Sequence, residues 1–124
     1  MEIKALVADS SSKTRKNITR SLNEIGVRNV VEATDGNQAI ELLETGNFDV
    51  VFAEWNTQSG KMEELVKAAR KINAKLPVIV TAPQSKQMAE LKKSCPTASN
   101  YLTVPFTTDQ LRKTVAQYVP SIAG

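Results

Sequence analysis

Ile3-Lys4-Ala5-Leu6-Val7-Ala8 is apolar at every position but Lys4. It lacks the alternation of a strand with one wet face, and so reads as a central parallel strand covered on both sides. Ser10, Ser11 and Ser12 follow, each able to cap a helix. The helix beyond them carries Ile18, Leu22 and Ile25 inward and stops at Gly26, while Lys13, Arg15, Lys16 and Arg20 decorate its exposed side. The same sentence of strand, cap, amphipathic helix and stop then recurs. Asn29 to Ala33 is a strand, and Asp35 caps a helix with Ala39, Ile40, Leu42 and Leu43 inward that closes at Gly46. Phe48 to Ala53 is a third apolar strand, followed by a loop from Glu54 to Gly60 and a helix with Met62, Leu65, Val66, Ala69 and Ile72 inward. Leu76 to Thr81 is a fourth strand, with a shorter helix over about residues 84–93. Asn100 to Val104 is the fifth. Pro105 ends it, and Thr107 or Thr108 caps a last helix with Leu111, Val115 and Tyr118 inward.

Five successive strand–helix units with right-handed crossovers predict an α/β, doubly wound (βα)5 domain over residues 1–119: a five-stranded parallel sheet of order 2-1-3-4-5 with helices on both faces. Residues 120–124 read as a C-terminal tail or the start of a linker. In such a sheet, sites form beyond the carboxyl ends of the strands, at the switch point between strands 1 and 3. Topology therefore singles out Asp9, Glu54, Thr81 and Val104.

Composition narrows the function. The chain has 124 residues and a net charge of +3, a mild excess that favours a solvated surface over a nucleic-acid footprint, since no basic–aromatic cluster accompanies it. The absence of histidine removes the commonest general base and transition-metal ligand. Neither a G-x-G-x-x-G nor a P-loop is present, which argues against a nucleotide-binding crevice. The single Cys95 excludes an intrachain disulfide and fits a reducing cytoplasm. No apolar run is long enough for a membrane span, and no signal peptide is expected.

Five runs carry a family resemblance: Ala5-Leu6-Val7-Ala8-Asp9-Ser10-Ser11, Val31-Glu32-Ala33-Thr34-Asp35-Gly36, Phe48-Asp49-Val50-Val51-Phe52-Ala53-Glu54-Trp55-Asn56, Pro77-Val78-Ile79-Val80-Thr81-Ala82 and Asn100-Tyr101-Leu102-Thr103-Val104-Pro105-Phe106. In this order and spacing the chain resembles the receiver domains of response regulators, most of all stand-alone chemotaxis-type receivers, from about Lys4 to Tyr118. The resemblance implies a flavodoxin-like fold. It also implies phosphoryl transfer from a histidine kinase to an aspartate after strand 3, with magnesium held partly by two acids after strand 1. A hydroxyl after strand 4 and a lysine after strand 5 would contact the phosphoryl group.

Mapped onto this chain, most of that machinery is lost. The first acid falls on Asp9, the second on neutral Ser10, the phosphoacceptor on Glu54 and the lysine on uncharged Val104. Thr81 keeps the hydroxyl, Asn56 the position whose carbonyl would ligate the cation, and Tyr101 the switch aromatic. A proline expected at Gln58 and a glycine expected at Met62 are missing, with Gly60 two residues early, so the loop is expected to take a different path. Glutamate carries its carboxylate about 1.5 Å further than aspartate, and a misplacement of about 1 Å costs on the order of a hundredfold in rate. The expectation is a degenerate receiver that binds protein partners without a phosphate switch, is not an enzyme, and requires no cofactor, with at most weak magnesium binding at Asp9, Glu54 and Asn56. Glu54 either imitates a phosphorylated aspartate or is inert, and the lost cation at 104 favours loss of switching. The competing reading is a working response regulator that a histidine kinase phosphorylates.

The partners implied are signalling proteins: a histidine kinase, a phosphotransfer protein or an output protein, with neither nucleic acid nor membrane. Candidate docking surfaces are helix 1, with Lys13, Arg15, Lys16 and Arg20, and the face of helix 4, strand 5 and helix 5 around Lys86, Glu90, Tyr101, Arg112 and Lys113. The latter is also a candidate dimer surface. Trp55 is expected as a partly exposed residue beside the site.

Overall fold

A computed structural model describes residues 2–56 and 61–122. Five strands, β1 (Lys4–Ala8), β2 (Asn29–Ala33), β3 (Val50–Glu54), β4 (Val78–Pro83) and β5 (Asn100–Val104), alternate with α1 (Ser12–Glu24), α2 (Gly36–Thr45), α3 (Lys61–Ile72), α4 (Met88–Ser94) and α5 (Thr108–Ala116). The sheet is parallel throughout, in the order β2-β1-β3-β4-β5. This is the doubly wound, flavodoxin-like arrangement expected from the pattern of strands and helices.

The apolar runs sort by parity, as a pleated strand requires. Leu6, Ala8, Val51, Ala53, Val78 and Val80 face one side, where Ala39 and Leu43 of α2 and Leu65, Val66 and Ala69 of α3 cover them. Ala5, Val7, Val50, Phe52, Ile79 and Leu102 face the other, against Ile18 and Leu22 of α1 and Leu111 and Val115 of α5. Coverage on both sides is why the central strands show no alternation.

Side-chain caps set several helix starts. Ser11, of the three serines, caps α1 and accepts from Thr14 N; Asp35 caps α2; Thr107 caps α5 in a reciprocal box with Gln110. Gly26 ends α1 with φ 97°, a backbone conformation that side chains disfavour. Gly46 is required for another reason: a Cβ there would meet the Phe48 ring at 2.8 Å.

Several expectations are corrected. Ile72 is 45% exposed, because it is the last residue of α3 and lies beyond the sheet that buries the rest of its stripe. Ile25 is only partly buried at the end of α1. The fourth helix begins at Met88 instead of near residue 84, after a turn closed by Lys86 N donating to Pro83 O. The expected tail is in part structural: Pro120–Ile122 forms a 3-10 turn, η1, and Ile122 packs into the core beside α5, since its apolar side chain finds cover there. The altered loop expected at Gln58 and Gly60 lies outside the described residues.

Phe52 has no solvent exposure. Phe52→Ala is expected to cost about 3–5 kcal/mol of stability in urea denaturation, whereas Ile72→Ser should stay within about 0.5 kcal/mol.

Candidate functional site

Beyond the carboxyl ends of β1 and β3 lies a small cleft lined by Ala8, Asp9, Ser10, Thr34, Asp35, Glu54 and Asn56. Its geometry follows from register. Strand β1 pairs with β2 on one side and β3 on the other, aligning Ala8 with both Ala33 and Ala53, so Asp9 and Glu54 emerge side by side. On the far side of β3, Glu54 is aligned with Thr81. The sheet thus brings Asp9, Ser10, Glu54 and Asn56 to one place, with Thr81 beside them and Val104 two strands away at the end of β5.

Asp9 is buried, and one of its carboxylate oxygens accepts a hydrogen bond from Ser11 N at 2.8 Å. Burial pushes its carboxyl above the ordinary carboxylate range. The Ser11 amide opposes that shift, the Glu54 charge reinforces it, and Arg15 partly offsets it. Glu54 is half-buried, and its Oε1 accepts from both the backbone N–H and the hydroxyl of Ser10, at 3.2 and 3.0 Å. Thr81 is buried; the hydrogen bond described between its residue and the β3 end is from Trp55 N to the Thr81 carbonyl, at 2.8 Å. Val104 is a half-buried aliphatic residue at the end of β5, preceding a cis Pro105.

Asp9, Glu54 and Asn56, which line the cleft, are the residues that would hold a magnesium ion. Such an ion wants near-octahedral oxygen coordination and dehydrates reluctantly. Asp9 and Glu54 each have one oxygen engaged by a protein donor, and the adjacent Asp35 carboxylate caps α2. Among the described residues no three His, Cys, Asp or Glu side chains come together as a metal-binding group.

The surrounding residues couple to one another. Trp55 leaves the site under Lys86, whose ammonium sits 4.1 Å from the ring centroid and 3.2 Å from Glu90. This contact links the end of β3 to the start of α4, and sequence reasoning missed it because the residues are far apart in the chain. Tyr101 is turned inward, its hydroxyl donating to the Cys95 carbonyl at 2.6 Å, and burial raises its pKa, with Cys95 adding to the shift. Burial likewise pushes the Cys95 thiol up.

The candidate docking residues divide. Lys13, Lys16 and Arg20 are exposed along α1. Arg15 is corrected: its guanidinium turns inward, donating to the Asp9 carbonyl at 2.8 Å and pairing with Glu32 at 3.0 Å, because that carbonyl and carboxylate lie within its reach. Arg112 and Lys113 on α5 both pair with Asp109. Lys86 and Glu90 are tied to each other.

Similarity to known proteins agrees with this geometry. The response regulator receiver domain family matches residues 5–116. The chain belongs to that family, and is a receiver domain of two-component signalling. Among individual relatives, it is 27% identical to the chemotaxis protein CheY of Pseudomonas aeruginosa over 98% of this chain and all of that one. It is 28% identical to CheY-3 of Vibrio cholerae over 90% of this chain and 87% of that protein. The receiver domain of the Francisella response regulator 1452 superposes with a TM-score of 0.75 at 31% identity, covering 97% and 98% of the two chains. Receiver domains work through contacts with histidine kinases, phosphotransfer proteins or output domains, as signalling proteins more than as enzymes. Among the described residues no helix is long and apolar enough to cross a membrane.

A carboxyl whose pKa is higher in the folded than in the unfolded chain favours folding while protonated and weakens it as pH rises through the folded pKa. Asp9→Asn keeps an acceptor for Ser11 N and removes the charge. It should therefore raise Tm at neutral pH by on the order of a few degrees. The gain should fade in thermal melts as pH drops below the ordinary carboxylate range.

Proposed function

We propose that this receiver domain signals by protein–protein contact, without a phosphorylation switch, and that its phosphoacceptor position is degenerate. The observation that carries the reading is Glu54, which stands where the family places its phosphoacceptor aspartate. Its carboxylate is engaged by Ser10, which stands where the family places a second acid. An attacking carboxylate needs a free, positioned oxygen and a cationic surround for the transferred phosphoryl group. Val104 supplies no charge at the position where the family has lysine. Each departure acts on the same step, so their penalties compound.

The frame that presents partner surfaces is retained. Both faces of the sheet are fully packed, Tyr101 is docked, and α1 offers Lys13, Lys16 and Arg20 as an exposed cationic ridge at helical spacing. That ridge suits an acidic surface on a kinase, phosphotransfer or output protein. The lone thiol and the family context support a cytoplasmic setting. Glu54 is better read as lost switching than as a phosphate mimic, since the position of the cationic anchor is the aliphatic Val104.

Incubation with magnesium and acetyl phosphate followed by intact-mass measurement should leave the mass unchanged. Substantial phosphate incorporation would overturn the proposal and establish a working phosphoacceptor in this domain.

A further inference from the structure

We infer that Ser10 takes over the tethering task of a divalent cation at this site, clasping the Glu54 carboxylate with its hydroxyl and its backbone N–H so that the ends of β1 and β3 are joined independently of metal. The inference deepens the proposed function and rests on it for the view that this joined state is the signalling one.

Three observations carry it. The first is the paired contact. Glu54 Oε1 accepts from Ser10 N at 3.2 Å and from Ser10 Oγ at 3.0 Å, so one residue supplies two donors to one carboxylate oxygen. The second is the length of the side chain. An aspartate at 54 would end about 1.5 Å nearer the backbone, drawing its oxygens back from a hydroxyl now 3.0 Å away. Glutamate at 54 and serine at 10 therefore make sense together, and neither makes the same sense alone. The third is charge. Asp9 lies close enough to Glu54 for their charges to interact, and an acid at 10 would add a third negative group that only a cation could hold together. A serine replaces repulsion with a donated hydrogen bond. Ser11 N on Asp9 and the Arg15 guanidinium on the Asp9 carbonyl complete a cluster satisfied by protein groups.

The clasp makes an unusual demand on mutagenesis: restoring the family's aspartate should weaken the protein. Thermal melts of the full chain in EDTA are expected to show Ser10→Ala and Glu54→Asp each lowering Tm by on the order of 2–5 °C. The combination of Ser10→Ala with Glu54→Asp should fall no further than the worse single variant, because the two residues act as one contact. Added magnesium is expected to leave the Tm of the unmodified chain within about 1 °C, and to raise that of Ser10→Asp/Glu54→Asp by several degrees, as a cation re-enters a three-acid site. Trp55 fluorescence titrated with magnesium gives a second reading, silent in the unmodified chain and responsive in the double variant. A magnesium response in the unmodified chain equal to that of the double variant would overturn the clasp, as would unchanged melts for both Ser10→Ala and Glu54→Asp. These readouts are separate from phosphate incorporation. A chain that takes up phosphate yet melts as described refutes the proposed function alone, and an inert chain with unchanged melts refutes the clasp alone.

Discussion

The need to bury both faces of the central strands is the constraint on which the rest of the structure depends. Val50, Val51, Phe52 and Ala53 of β3 have no exposure at all, and the same holds for Ala5, Leu6 and Val7 of β1. A strand apolar on both sides has to be covered from both sides, so α1 and α5 go to one face and α2 and α3 to the other. Right-handed crossovers then leave no simpler solution than a sheet that winds outward in two directions from β1 and β3. The gap between those two windings is the cleft that holds Asp9, Ser10 and Glu54.

The site is thus an outcome of packing before it is an outcome of chemistry. Its side chains sit one residue past buried backbone, and register places Asp9 beside Glu54 and Glu54 beside Thr81. In that rigid frame one methylene matters. The glutamate at 54 carries its charge far enough to accept from Ser10. The neighbouring contacts share the same logic of internal satisfaction: Arg15 turns to Asp9 and Glu32, and Lys86 covers Trp55 while pairing with Glu90. These contacts join residues of neighbouring elements.

Legibility in the sequence followed the range of the forces involved. The Asp35 cap and the Gly26 stop are local, and each appears in the structure where its residues put it, whereas β3 and β4 each begin two residues later than the apolar runs from Phe48 and Leu76. Ile72 and Ile122 were misread because burial depends on where the sheet ends and on which apolar side chain finds a vacant edge, and helical spacing carries neither fact. Arg15 was misread for a related reason. Helical position placed it on the outer face, yet a long guanidinium side chain folds back wherever a carbonyl and a carboxylate lie within reach.

By itself the sequence determined the fold, the strand order and the identity of the groups at the four strand ends, because hydrophobic period and turn chemistry are written along the chain. Only the tertiary structure decided what those groups do to each other. That Ser10 and Glu54, forty-four positions apart, make a double hydrogen bond, and that Lys86 closes over Trp55, depends on register and rotamer. Both are settled by packing across the sheet, at separations where the pattern of a linear sequence holds no record.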